Sequence, residues 1–170
     1  QKLPGGLIHV NVVGCALFAA ISGSSAATVA TVGKMSIPEL RKRNYPEKIL
    51  LGSLAGSGTL GLLIPPSIIL IIYGVAVQES IAKLFIAGIL PGIMIALIFM
   101  SYVIFWSLIN KKQMPKIIEE YSIFEKIKRS KQLLPVIILI SAVIGSIYTG
   151  IATATEAASL GVVGALILSY

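Results

Sequence analysis

The chain has 170 residues, of which 56% are hydrophobic and 12% charged, and its mean hydropathy is +0.93. That balance excludes an ordinary soluble domain and makes lipid the solvent for most of the chain. The net charge of +7 does not point to nucleic acid: most of the Lys and Arg residues gather in two short connectors without stacking aromatics or a binding motif, as a positive-inside bias would place them.

Charges are missing between Lys2 and Lys34, Lys48 and Glu79, Lys83 and Lys111, and Lys131 and Glu156. A helix needs about 20 apolar residues to cross about 30 Å of hydrocarbon, and each gap is long enough. The expected fold class is therefore all-α, a polytopic membrane protein. Cys15, the single cysteine, lies inside an apolar run, which leaves no disulfide framework and no metal-spaced cluster. The chain reads as an internal piece of a longer protein.

In chain order, residues 3–33 form a first apolar run whose middle, Ser22 to Thr31, is a patch of small and hydroxyl residues. Residues 34–48 form a polar connector with Lys34, Arg41, Lys42, Arg43 and Lys48 against Glu39 and Glu47, expected to be cytoplasmic. The next run, 49–77, holds Gly56, Gly58, Gly61, Pro65 and Pro66 in its centre. Pro66 has no N–H to donate, and it pushes Pro65 out of the helical region, so a discontinuous transmembrane helix is expected. A more uniform span follows over 84–109, interrupted only by Pro91 and Gly92. Residues 110–132 make a second basic connector with Lys111, Lys112, Lys116, Lys126, Lys128, Arg129 and Lys131. Residues 133–170 are expected to begin a second repeat of transmembrane helices: Leu133 to Tyr148 cross outward again, and in the tail from Thr149 to Tyr170 Glu156 sits among small and apolar residues. Two spans between the basic connectors place both connectors on one side, so charge and span count agree.

Unsatisfied backbone is costly in lipid, so non-helical backbone at membrane depth survives only where protein or a wet cavity satisfies it. Broken helices therefore mark function: freed carbonyls and the negative ends of half-helices coordinate Na⁺, and half-helix N-termini attract anionic substrate groups. Ser22-Gly23-Ser24-Ser25 and Gly58 to Ser67 are the two candidate breaks. The pairs Gly52/Gly56 and Gly88/Gly92 fit close helix packing instead. Glu156 is open to two readings, a functional intramembrane acid or the cap of a helix beginning near Thr155. His9 and Asn11 lie on the first arm and receive no role.

The stretches ALFAAISGSSAATVATVGKMSIPELRKRNY, GTLGLLIPPSIILIIYG, KLFIAGILPG and TGIATATEAA closely resemble the large membrane (M) subunit of tripartite ATP-independent periplasmic, or TRAP, transporters. The likeness covers nearly the whole chain in order and spacing, and only Asn110 to Gln132 adds nothing to it. One departure is Thr153-Ala154-Thr155-Glu156, where the family usually has a proline in second place, which puts the local geometry there in question.

The resemblance implies an elevator-type, Na⁺-coupled symporter, multi-pass in the bacterial inner membrane. It would import an organic acid, a C4-dicarboxylate, a sialic acid or another carboxylate, delivered by a periplasmic substrate-binding (P) protein, and would work with a small membrane (Q) subunit. Residues 3–33 would then be a re-entrant hairpin with its tip at Ser22 to Ser25, packed on the unwound stretch Gly58 to Pro66, with Gln1 and Lys34 both cytoplasmic. By the same likeness Na⁺ would be held mainly by the backbone carbonyls of Ser22, Ser24, Gly61, Ile64 and Pro66. Gly23, Ser25, Gly58, Thr59, Pro65 and Ser67 would lie nearby. No organic cofactor and no transition metal are expected.

Two other functions compete. An intramembrane serine hydrolase would use Ser24 as nucleophile and His9 as base, but it requires these residues to meet and finds no acidic residue in the run to orient the imidazole. A passive channel would also use carbonyls, yet would only conduct down a gradient.

Overall fold

The computed structural model describes residues 3–115 and 134–169. Among them are seven α-helices and no strand, in keeping with the all-α expectation. The chain divides into two compact units, Gln1–Ile118 and Glu119–Tyr170. Gln1 and the basic residues Lys116, Lys126, Lys128, Arg129 and Lys131 lie outside the described residues.

The first unit begins with a short 3-10 turn that leads into α1, His9–Ser22. Gly23 ends α1 in the left-handed conformation (φ 59°), its N–H returning to the Ala19 carbonyl at 2.9 Å, the usual role of a glycine just past a helix. Ser24 is extended and caps α2, Ser25–Lys42, by accepting from Ala27 N–H, as serine does at helix N-termini. α2 runs antiparallel to α1, so that Gly14 faces Val32 and Ser22 faces Thr28.

Much of the polar connector is thus helical, because α2 continues through Lys34 and Pro38 to Lys42. Lys, Glu, Leu and Arg are good helix formers, and Arg41 and Lys42 suit the negative end of the helix. The chain reverses at Asn44, left-handed at φ 58°, and exposed ion pairs join Arg43 to Glu39 and Arg41 to Glu47.

α3, Glu47–Gly58, packs on both arms of the hairpin. Cys15, Val32 and Leu54 make one apolar cluster between them. Ile8, Val12, Leu40, Tyr45, Ile49, Leu50 and Val103 make another, nearer the connector. Asn11 ties α1 to α3: its Nδ2 donates to the Leu50 carbonyl at 3.1 Å and to Ser53 Oγ at 3.0 Å. A buried amide has to find such partners, so the pair also sets the register of the two helices. His9 is packed and hydrogen-bonded, its Nε2 donating to the Pro4 carbonyl at 2.8 Å.

After α3 the chain tightens into a 3-10 turn, Thr59–Leu62, and then leaves helical geometry until α4, Ile68–Val77. The Pro65–Pro66 peptide is cis. Ser80 caps α5, Ile81–Ile109, which runs unbroken through Pro91 and Gly92. Its 29 residues extend about 43 Å, and it is long and apolar enough to cross a bilayer. Many of its large side chains, such as Leu90, Leu97 and Phe105, are exposed.

The glycines of α5 pack closely against the irregular segment before α4, and Gly88 also meets Leu70 of α4. A β-carbon at Gly88 would lie 2.7 Å from the Leu63 carbonyl oxygen, and one at Gly92 would lie 3.0 Å from Ile64 Cγ1. Gly56 meets the Phe99 ring, whereas a β-carbon at Gly52 would have nothing within 4 Å among the described residues. The Gly52 half of the expected packing pair is therefore idle here.

In the second unit α6, Leu134–Tyr148, and α7, Ala154–Ser169, form an antiparallel pair, with Gly161 against Val143 and Gly164 against Leu139. Gly150, at φ 71°, turns the chain between them. α7 opens with a capping box: Thr153 N–H and Oγ1 each donate to Glu156 Oε2 at 2.8 Å, and Glu156 N–H donates to Thr153 Oγ1 at 3.4 Å. Ala154 holds the first helical position, where proline is also well tolerated. The departure from the family pattern consequently leaves the cap intact.

Two stability outcomes follow from these contacts. Gly88→Ala presses a methyl on a backbone oxygen that no rotamer change can relieve and should cost about 1–3 kcal/mol; Gly52→Ala should be neutral or gain about 0.5–1 kcal/mol. Thermal unfolding of the detergent-purified full-length protein distinguishes the two, and equal melting points would contradict the packing described. Glu156→Gln keeps the reach-back acceptor, whereas Glu156→Ala loses it at about 1 kcal/mol. A Gln variant as unstable as the Ala variant would show that the charge, not the cap, matters.

Candidate functional site

The two breaks lie against each other. At the hairpin tip, α1 presents its carbonyl end and α2 its N–H end. In the facing segment the 3-10 turn after α3 presents carbonyls and α4 presents N–H groups. Four helix ends of alternating polarity therefore meet with no ionisable side chain among them, and their partial charges supply the local field.

Glycine makes this approach possible. A β-carbon at Gly61 would come within 2.9 Å of both Ser24 C and Ser25 N, and within 3.1 Å of the Ser24 carbonyl oxygen. One at Gly23 would sit 2.6 Å from the Pro66 carbonyl oxygen. The Gly23 carbonyl in turn accepts from Ile68 N–H at 3.3 Å, joining tip to segment directly. Gly58 is buried beneath Val29 of α2.

The oxygens fall into two groups. The Ser24 carbonyl is fully engaged, accepting from Thr28 N–H at 3.0 Å, Thr28 Oγ1 at 2.8 Å and Ser22 Oγ at 3.3 Å. By contrast, no donor among the described residues reaches the carbonyl oxygens of Leu63, Ile64, Pro65 or Pro66. Ser25 Oγ is buried and without a partner. A buried oxygen without a partner, such as Ser25 Oγ, calls for an explanation, and a bound ligand is one.

Of the remaining candidate residues, Ser67 is fully buried and its Oγ donates to the Leu62 carbonyl at 2.8 Å, bracing the unwound segment from within. Thr59 lies exposed with its Oγ1 donating to the Gly56 carbonyl at 2.7 Å, so it braces the last turn of α3. The Ile64 side chain rests on Gly92 of α5. Glu156 belongs to the second unit, where it caps α7.

Thr28 was missing from the sequence-derived set. It is fully buried, one turn into α2, and its hydroxyl bonds across the break to both Ser22 and Ser24. The only available signal was a Thr four residues after the serine that caps the helix, a weak one, because hydroxyls often bond back along a helix.

The hydrolase alternative has no geometry. His9 and Ser24 sit at opposite ends of α1, about 20 Å apart by helix rise, and His9 Nε2 is engaged with the Pro4 carbonyl.

Residues 2–170 match the family model described as "Tripartite ATP-independent periplasmic transporter, DctM component". The chain is similar to the C4-dicarboxylate TRAP transporter large permease protein DctM of Pseudomonas aeruginosa, at 40% identity over 94% of this chain and 36% of that protein. It also resembles the ectoine/5-hydroxyectoine TRAP transporter large permease protein UehC of Ruegeria pomeroyi, at 38% identity over 96% of the chain and 38% of the relative. A third relative is the sialic acid TRAP transporter permease protein SiaT of Haemophilus influenzae, at 36% identity over 96% of the chain and 26% of the relative. The chain thus spans 26–38% of the length of these relatives. It belongs to the DctM component family of tripartite ATP-independent periplasmic transporters.

Proposed function

We propose that this chain is part of the membrane permease of a Na⁺-coupled symporter in the bacterial inner membrane. Its substrate is an organic acid, such as a C4-dicarboxylate or a sialic acid, delivered by a periplasmic binding protein, and a small membrane subunit completes the permease. The observation that carries this reading is the pairing of two interrupted backbones. On one side run donor-free carbonyls, on the other a buried, partnerless Ser25 hydroxyl.

In this reading Na⁺ lies between tip and unwound segment, held by carbonyls of Ser22, Gly61, Ile64 and Pro66 with Ser25 beside them. Hard cations take oxygen ligands, and carbonyl ends of half-helices carry the favourable sign. Ser24 contributes its carbonyl only by giving up a hydrogen bond to Thr28. The N–H ends of α2 and α4 attract the carboxylate of the substrate. Residues 3–33 act as a re-entrant hairpin that moves with the unwound segment in an elevator-type cycle. Their direct bond from Ile68 to Gly23 fits such rigid coupling.

The test is uptake by the full-length permease with its small subunit and binding protein in proteoliposomes. Candidate acids should accumulate against their own gradient only when a Na⁺ gradient is imposed; downhill flux alone would establish a passive channel. Gly61→Leu should abolish Na⁺-driven uptake, because a side chain there pushes tip and segment apart at a cost of about 1–3 kcal/mol or more. Wild-type uptake by this variant would remove the proposed site.

A further inference from the structure

The hairpin tip is closed by a small ring of hydrogen bonds that does not belong to regular helix. Thr28 Oγ1 donates to the Ser24 carbonyl at 2.8 Å and pairs with Ser22 Oγ at 3.0 Å. Ser22 Oγ accepts from Ser24 N–H at 3.3 Å and reaches the Ser24 carbonyl at 3.3 Å. The ring spans the break from the last residue of α1 to the second turn of α2, and Thr28 is fully buried within it. A β-branched side chain is stiff about χ1, so the hydroxyl is a fixed point and not a mobile ligand.

Its consequence lies in the peptide it holds. Gly61 rests on Ser24 C and Ser25 N, so the plane of the Ser24–Ser25 peptide sets how far the unwound segment stands from the tip. That plane is fixed by the two bonds from Thr28 to the Ser24 carbonyl. We propose that Thr28 is a positioning residue for the ion site: its backbone N–H turns the Ser24 carbonyl into α2, and its hydroxyl adds the second bond that locks the carbonyl there and keeps it out of the ligand set. The cation is then met by the oxygens of Ser22 and of the unwound segment at the spacing the ring imposes. This rests on the Na⁺ site proposed above.

The hydroxyl, and not the methyl, is the acting group, so Thr28→Val and Thr28→Ser separate positioning from packing. In the full-length transporter, the Na⁺ concentration for half-maximal uptake should rise roughly three- to tenfold in Thr28→Val, the scale of one buried hydrogen bond. Substrate half-saturation at saturating Na⁺ should be unchanged, and Thr28→Ser should restore the Na⁺ curve. A purely structural role would lower the melting temperature or the amount of protein and leave the Na⁺ curve in place. A Thr28→Val curve superimposed on a Na⁺-dependent wild-type curve would overturn the role of Thr28 alone. Wild-type uptake indifferent to Na⁺ would overturn the ion site and this inference together. Should Thr28→Val fail to insert, Thr28→Ala measured against Thr28→Ser carries the same comparison, and an unshifted Ala curve would overturn it equally.

Discussion

A peptide carbonyl or N–H removed from water without a partner costs several kcal/mol in hydrocarbon, and the first unit interrupts its helices at two adjacent places. Each interruption frees backbone groups that need an answer. At the hairpin tip most answers are internal: Gly23 N–H returns to Ala19, Gly23 carbonyl receives Ile68, and Ser24 carbonyl is covered by Thr28 and Ser22. In the unwound segment the answers run out, for among the described residues only Leu62 gains a side-chain donor, from Ser67. The imbalance between a closed tip and an open segment is what makes the segment a candidate ion site.

The open segment is held from two sides by contacts that tolerate no β-carbon. Gly23 and Gly61 bring the tip against it, and Gly88 brings α5 against the Leu63 carbonyl on another face. Close packing of small residues and exposure of carbonyls are thus parts of one arrangement here. A segment without helical hydrogen bonds keeps its shape only if its surroundings over-determine it, and backbone-to-backbone contact is the stiffest way to do so. Gly88 and Gly92 do pack closely, Gly88 partly on Leu70 of α4, but their nearest contacts are Leu63 and Ile64 of the proposed site.

Much of this was legible in the sequence because the strongest signals were chemical absences. Missing charges gave the apolar runs, and consecutive prolines with clustered glycines located the break at 58–67. The polar connector was less legible: charges mark a water-facing stretch, not a helix end, and α2 runs through Lys34 to Lys42. Pro91 looked like an interruption but sits within a continuous α5. The role of Thr28 was hidden because it depends on which way a hydroxyl turns, and the occupancy of the Ser24 carbonyl was hidden because a backbone oxygen has no sequence signature. Glu156 had the Thr-x-x-Glu spacing of a capping box in plain view. The helix start at Ala154 decided how that spacing is used.

A site made of neutral carbonyls has a further property that bears on coupling. Backbone oxygens and helix ends supply partial charges only, so a bound Na⁺ would leave a net positive charge in a low-dielectric region where isolated charge is costly. The same cluster of helix ends offers the N–H termini of α2 and α4, to which a carboxylate is drawn. A carboxylate there would offset the cation, and the cation would offset the carboxylate, so each lowers the cost of binding the other. Such reciprocity is what thermodynamic linkage demands of a symporter. Among the described residues of the proposed site it arises without a dedicated acidic or basic side chain, because alternating helix polarity provides places for both signs within one cluster.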